Sequence, residues 1–167
     1  MGRTLVVTND FPTRQGGIES FVFAMANEVV VHTASMPGGT EFDRRLPYPV
    51  IRDPATRLVP TPAVRRRVVR ALHEFGCESV LFGAAAPLGL LAPALRDAGA
   101  ERIVGLTHGH ETWWARVPPA SMALRRIGDG CDALTYVSEF CRRRIAVSLS
   151  PDAARRMVRL APGVDTE

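Results

Sequence analysis

Short apolar runs rich in β-branched residues alternate along the chain with longer segments whose apolar residues recur at helical spacing. This alternation is typical of repeated β-α-β units, which build a parallel sheet covered by helices. The predicted strands are residues 4–8, 29–33, 49–52, 79–83, 102–107, 133–137 and 157–160, and the predicted helices are residues 17–27, 61–75, 87–98, 119–130 and 139–148. Residues 35–60 are rich in proline and predict an irregular excursion with one short strand. The expected fold class is therefore α/β, a Rossmann-like doubly wound, mostly parallel sheet of about seven strands.

Length and composition fit one compact domain. The chain has 167 residues, of which 46% are hydrophobic, so it can bury a substantial core. The longest uncharged run, residues 79–95, is interrupted by Pro87 and Pro93 and predicts a buried strand and helix rather than a membrane span. The amino terminus lacks the apolar length of a signal peptide, so we expect a cytoplasmic protein. Three cysteines without paired spacing predict ordinary buried thiols rather than disulfides or a zinc site.

The charge pattern adds one candidate surface. The formal charge is +4, and all 21 basic residues are arginine, as in proteins from genomes of high GC content. Four of them lie on the predicted helix 61–75, at Arg65, Arg66, Arg67 and Arg70, with no acidic residue among them. A solvated face is the default interpretation, and contact with an anionic membrane is the second. Nucleic acid is a third but less favoured one, because no aromatic residues are interleaved with the arginines.

Ligands of doubly wound sheets bind outside the carboxyl ends of the strands, so four loops are candidates: residues 9–16, 83–86, 108–117 and 161–167. The first loop ends in Gly16 and Gly17 at a predicted helix start, where backbone N–H groups and the helix dipole can bind a phosphate. A plain turn is equally compatible, since the loop matches neither common nucleotide fingerprint. In the second loop, the small residues at 84–86 favour tight packing over a ligand site.

The third loop carries the densest chemistry in the sequence, with His108, His110 and Glu111 around Gly109. A histidine at a strand tip can hydrogen-bond a sugar hydroxyl or exchange a proton near neutral pH. Metal binding is the rival interpretation, but no further cysteine or histidine pair completes a coordination shell, so no metal is predicted.

Two tryptophans and two further histidines are the remaining residues of interest. Trp113 and Trp114 are either core aromatics or a contact surface for sugar or lipid. His32 and His73 stand alone inside predicted elements, which favours structural roles.

Several of these features occur together in one known family. The Gly16-Gly17 pair, the strand-end His108 and the sequence Gly-Val-Asp at 163–165 resemble the amino-terminal domain of retaining GT-B glycosyltransferases of family 4. Within that family, residues 8–12, 82–88 and 107–111 are most similar to actinobacterial phosphatidylinositol mannosyltransferases, especially those that add the second mannose. The likeness runs over nearly the whole chain.

The resemblance implies α-mannosyl transfer to a phosphatidylinositol mannoside, with GDP-mannose as the expected donor and no cofactor or metal. It implies these roles: His108 catalytic, at the transferred sugar; Gly16 and Gly17 at the donor diphosphate; Asn9, Asp10, His110 and Glu111 on the acceptor side; and Arg65, Arg66, Arg67 and Arg70 against anionic lipid. Another nucleotide hexose, a soluble acceptor, or a non-catalytic lipid- or phosphate-binding module remain alternatives.

The same resemblance implies the domain organisation. Residues 1–160 would form a Rossmann-like acceptor-side domain, and residues 161–167 would begin the hinge to an absent, donor-binding second domain. We therefore expect the isolated chain to be inactive. The implied partners are a nucleotide sugar, a lipid or glycolipid acceptor, the missing carboxyl-terminal domain and the inner face of the plasma membrane, but not nucleic acid.

Overall fold

The computed structural model describes residues 2–11 and 28–160, which form a seven-stranded sheet with every neighbouring pair parallel. The strands are β1 (Arg3–Thr8), β2 (Val29–Ala34), β3 (Val50–Asp53), β4 (Cys77–Phe82), β5 (Arg102–Gly105), β6 (Ala133–Tyr136) and β7 (Val158–Arg159). Their order across the sheet is β3-β2-β1-β4-β5-β6-β7. All seven predicted strands are present, and the predicted Rossmann-like α/β class is confirmed.

Eight α-helices lie within the described residues: α1 (Gly39–Asp43), α2 (Pro62–Glu74), α3 (Ala85–Leu88), α4 (Ala92–Asp97), α5 (Glu111–Trp114), α6 (Pro118–Gly130), α7 (Glu139–Ala146) and α8 (Pro151–Arg155). Two begin as the sequence predicts. The hydroxyl of Thr61 accepts a hydrogen bond from the Val64 N–H and caps α2, and the hydroxyl of Ser138 caps α7 in the same way through Cys141. The predicted helix 17–27 lies outside the described residues.

The helical predictions fail where the elements are short. The single helix predicted over residues 87–98 is instead α3, a 3₁₀ turn (Gly89–Leu91) and α4. Ala86 has non-helical backbone angles (φ −100°, ψ 127°), as the position before a proline favours. The helices α1, α5 and α8 were not predicted, because four or five residues are too few to show helical periodicity.

The two faces of the sheet have separate cores because side chains alternate along each strand. Leu5 and Val7 face the larger cluster, in which Val68 and Leu72 of α2 also lie. Val6 faces a smaller cluster on the other side, together with Phe11. Burial on both faces explains why the central strands are continuous apolar runs, and it leaves the strand ends as the sites for polar chemistry.

In the part of the chain that the structure describes, no helix has the length and apolar character needed to cross a bilayer.

Candidate functional site

A cleft of about 450 Å³ lies at the carboxyl ends of β1, β2 and β4. Three residues expected on the acceptor side, Asn9, Asp10 and His110, line it. Arg52 and Arg57 also line it, and the sequence did not single them out. The topology explains why these residues lie close together, since parallel strands bring all their carboxyl-terminal loops to one edge of the sheet.

The two residues that follow β1 are held differently. The Asn9 amide donates to the carbonyl oxygen of Leu58 (3.0 Å) and accepts from the Leu58 N–H (2.7 Å). Asn9 therefore fixes the loop after β3 to the end of β1. The Asp10 N–H donates to the Thr8 hydroxyl (3.0 Å), and Asp10 itself is exposed. Of the two, Asp10 has the side chain available for a ligand.

Two arginines give the cleft its positive groups. Arg52 donates two hydrogen bonds to the Asp43 carboxylate (2.9 and 2.7 Å), and its guanidinium carbon lies 5.5 Å from the centre of the Phe11 ring. Its charge is thus balanced within the protein. Arg57 is exposed and has no ion-pair partner among the described residues. A loop arginine in an irregular segment carries no local sequence signal, which is why Arg57 was missed.

His108 follows β5, and its side chain reaches the end of β4. Its Nε2 atom lies 2.6 Å from the carbonyl oxygen of Gly83. Because a carbonyl oxygen only accepts hydrogen bonds, Nε2 must carry a proton, and Nδ1 of the neutral ring is left as an acceptor. His108 remains exposed at the sheet edge.

Glu111 differs from its expected role. Its side chain is completely buried and does not line the cleft. One carboxylate oxygen, Oε2, accepts hydrogen bonds from the N–H groups of His108 (3.0 Å) and Gly109 (3.1 Å). Glu111 was expected on the acceptor side, whereas its Oε2 atom contacts the backbone of its own loop.

The small residues after β4 both pack in the core and line the cleft. Ala85 is fully buried in the larger core cluster. Ala84 and Ala86 line the cleft, where their methyl groups leave room for a ligand. Tight packing alone does not describe this segment.

The arginines of α2 do not form one equivalent set. Arg65, Arg66 and Arg70 are exposed, and Arg66 and Arg70, four residues apart, share the outer face of the helix. Arg67 instead donates two hydrogen bonds to the Asp53 carboxylate (2.7 and 2.8 Å). Arg67 therefore differs from the other three arginines in being paired with a carboxylate.

Asp53 also binds His32, whose Nε2 lies 3.0 Å from its Oδ2 atom, so the structural role expected for His32 is confirmed. Burial lowers the pKa of His32 from its usual 6.5, despite the neighbouring carboxylate. Burial alone would raise the pKa of Asp53, but hydrogen bonds from Arg67, the Ala55 N–H and His32 outweigh it and hold that pKa below its ordinary value.

Of the two tryptophans, one is a core residue and the other is exposed. Trp114 packs against the larger core cluster, whereas 63% of Trp113 is exposed. The predicted structural role of His73 agrees with the 2.8 Å contact between its Nε2 and the carbonyl oxygen of Ala98.

The three cysteines are free and buried, as expected. Burial raises the pKa of Cys77 to about 11 and that of Cys131 to about 12, so both stay protonated near neutral pH. Within residues 2–11 and 28–160, no three side chains of histidine, cysteine, aspartate or glutamate are grouped as metal ligands would be. Gly16 and Gly17, expected at the donor diphosphate, lie outside the described residues.

Comparison with known proteins gives a family match and several curated relatives. The model of Glycosyltransferase Family 4 matches residues 16–167. The GDP-mannose-dependent alpha-(1-6)-phosphatidylinositol monomannoside mannosyltransferase of Mycolicibacterium smegmatis is 46% identical over an alignment of 172 positions, which covers 98% of this chain and 44% of that protein. The protein of the same name from Mycobacterium tuberculosis is 45% identical, over 100% of this chain and 46% of its own length. The chain therefore spans less than half of these relatives.

A third relative and two solved structures extend the comparison. The GDP-mannose-dependent monoacylated alpha-(1-6)-phosphatidylinositol monomannoside mannosyltransferase of Corynebacterium glutamicum is 42% identical over 85% of this chain and 39% of its own. The crystal structure of Anabaena HepE with UDP has a TM-score of 0.68 at 13% identity, covering 98% of this chain and 44% of that one. The Candida albicans trehalose-6-phosphate phosphatase N-terminal domain has a TM-score of 0.68 at 12% identity, covering 99% and 49%. At these identities the two structures establish the fold alone.

Proposed function

This chain belongs to glycosyltransferase family 4, and on that premise we propose that it is the acceptor-binding part of a retaining enzyme that transfers mannose from GDP-mannose to a phosphatidylinositol mannoside. The cleft carries the acceptor assignment: it joins Asp10, Arg57 and His110 at the carboxyl edge of the sheet. The identity of 46% to a named mannosyltransferase supports the reaction class.

The charges of the cleft suit an acceptor that has both hydroxyl groups and a phosphodiester. Arg57 is the cleft arginine without an ion pair among the described residues, so it is the group that would bind the phosphate. The exposed Asp10 carboxylate would accept hydrogen bonds from inositol or mannose hydroxyls. Asn9 would act indirectly, since its amide holds the loop that carries Arg57.

His108 would act on the sugar being transferred. With Nε2 held by the Gly83 carbonyl oxygen, Nδ1 is free to accept a hydrogen bond from a sugar hydroxyl near the reacting carbon. Such a bond orients the sugar as the bond to the diphosphate breaks. Gly16 and Gly17 would bind the departing diphosphate through their N–H groups, as the family resemblance implies.

The outer face of α2 would rest on the anionic inner surface of the plasma membrane, next to the lipid acceptor. Arg66 and Arg70 point outward on that face, and Arg65 lies on its flank. Each arginine near such a surface contributes about 1 kcal/mol of attraction. Arg67 would contribute less, because Asp53 already binds it.

Binding of a deacylated phosphatidylinositol monomannoside to the isotope-labelled chain tests the acceptor assignment. We expect amide shifts at residues 9–11, 56–58 and 110, and not at the opposite edge, around Arg102 and Asp132. Perturbation confined to that opposite edge, or no saturable binding at millimolar ligand, would contradict the proposal. Salt-sensitive binding to phosphatidylinositol vesicles without any headgroup binding would instead indicate a lipid-binding module.

A further inference from the structure

The carboxylate of Glu111 contacts the loop that carries His108 and the cleft residue His110. Glu111 is the first residue of α5, and none of its side chain is exposed. Its Oε2 atom accepts hydrogen bonds from two consecutive N–H groups, those of His108 (3.0 Å) and Gly109 (3.1 Å). Two adjacent N–H groups that donate to one carboxylate oxygen hold the backbone of the loop at two consecutive residues.

The other carboxylate oxygen is directed at the second histidine. Oε1 of Glu111 lies 3.3 Å from Nε2 of His110, and it accepts no hydrogen bond from the residues that the structure describes. The His110 side chain is about half exposed (51%) and lines the cleft. One buried carboxylate thus contacts the backbone of His108 and the ring of His110.

Backbone pairing continues past Gly105, the last residue of β5, because the Leu106 N–H donates to the Phe82 carbonyl oxygen (3.0 Å), and Thr107 makes two hydrogen bonds to Thr135. Beyond Thr107, Glu111 supplies the acceptor for the next two N–H groups. Gly109 has a φ of +104°, in the left-handed region, and the Thr112 hydroxyl donates to its carbonyl oxygen (2.7 Å). Without Glu111, the N–H groups of His108 and Gly109 would lose the one acceptor that they have among the described residues, at a cost that other loop conformations would relieve.

We propose that Glu111 is a positioning residue. Its Oε2 atom fixes the backbone at His108, and this keeps the Nε2 atom of the His108 ring as the donor to the Gly83 carbonyl oxygen. Its Oε1 atom lies beside the ring of His110 at the cleft wall. The importance of these placements for catalysis rests on the proposed function, whereas the hold on the loop does not.

Two conservative variants separate the position of the acceptor oxygen from its charge. Glu111→Gln keeps an acceptor oxygen at the same reach and removes the charge. Glu111→Asp keeps the charge and withdraws the oxygens by one methylene. Glu101→Gln, at an exposed carboxylate beside β5, is the matched control.

The readouts are the hydrogen-exchange rates of the His108 and Gly109 amides and the ¹⁵N shifts that report the His108 tautomer, all on the chain itself. We expect Glu111→Gln and the control to keep slow exchange and the Nε2-protonated tautomer. We expect Glu111→Asp to exchange about tenfold faster at both amides and to show mixed tautomers, while core amides such as that of Val80 are unchanged. Retention in both variants, loss in both, or loss in Glu111→Gln alone would overturn the proposal.

The catalytic consequence is measured in a chimera in which this chain replaces the matching segment of the Mycolicibacterium smegmatis relative. We expect Glu111→Asp to lower kcat about tenfold with little change in KM for GDP-mannose, and Glu111→Gln to restore most of it. An unchanged kcat in Glu111→Asp would overturn the positioning role. A parent chimera without transfer would count against the proposed function, and the exchange experiment would still decide whether Glu111 holds the loop.

Discussion

The Nε2 atom of His108 lies 2.6 Å from the carbonyl oxygen of Gly83, so a residue that follows β5 is tied to the end of β4. This contact spans 25 residues of sequence and crosses between neighbouring strands. It leaves Nδ1 as the ring nitrogen that can meet a substrate. The catalytic prediction for His108 therefore concerns its Nδ1 atom in particular.

In the chimera, His108→Ala should lower kcat for mannosyl transfer about a hundredfold, because the transferred sugar loses a fixed hydrogen-bond acceptor. His73→Ala is the matched control, since His73 also contacts a backbone carbonyl, that of Ala98, but lies on α2. Radiolabelled transfer assays give both rates. Equal activity of His108→Ala and the parent chimera would remove His108 from the mechanism.

Arg57→Ala should weaken binding of the deacylated acceptor about tenfold, since the phosphate loses its charged partner. The loop itself should be unaffected, because the Asn9 amide still holds Leu58. Titration followed by amide shifts measures the dissociation constant. Arg102→Ala, an exposed arginine at the opposite end of β5, should bind as the wild-type chain does. Equal weakening in both variants would indicate attraction by net charge alone.

Replacement of Arg66 and Arg70 together by alanine should weaken binding to phosphatidylinositol vesicles roughly thirtyfold at low salt, at about 1 kcal/mol per arginine. Co-sedimentation with vesicles measures the partition coefficient. The matched control is the double alanine variant of Arg125 and Arg126, an exposed pair on α6. If the control loses as much binding as the α2 variant, α2 is not the membrane-facing element.

The pair of His32 and Asp53 predicts a loss of stability on acidification. Burial lowers the pKa of His32 in the folded chain below 6.5, so the unfolded chain binds the proton more readily as the pH falls through 6.5. Stability is therefore full above that pH and falls toward the lowered pKa. Between pH 7.5 and 5.5 we expect the free energy of unfolding to decrease, because the unfolded chain takes up a proton at His32 more readily than the folded chain.

Urea denaturation at the two pH values measures this effect. His32→Gln should show a smaller decrease than the wild-type chain, since its amide can donate to Asp53 but does not titrate. His73→Gln should keep the wild-type pH dependence. A wild-type pH dependence in His32→Gln would show that other groups cause the acid sensitivity.

Hydrophobic pattern was sufficient to predict the fold. Strands buried on both faces must be apolar throughout, so runs such as those of β1 and β4 are visible in one sequence. The helices α2 and α6 are long enough to show their periodicity. Helix α5 is four residues long, and no period can mark it.

The candidate site was predictable only where chemistry is local in sequence. His108 and His110 stand out in a polar loop, and the topology then brings His110 to the cleft and His108 to the end of β4. The pairing of Arg67 with Asp53 spans 14 residues and depends on how α2 packs against β3. Burial of Glu111 depends on the turn at Gly109, which a single sequence does not reveal.

The central claim is that this chain supplies the acceptor side of a mannosyltransferase. The most direct measurement is mannose transfer from GDP-mannose to phosphatidylinositol monomannoside by the chimera with the Mycolicibacterium smegmatis relative, beside the isolated chain. The account predicts a dimannoside product from the chimera and none from the chain alone. A folded chimera that binds GDP-mannose but forms no dimannoside, or transfer by the isolated chain, would contradict it.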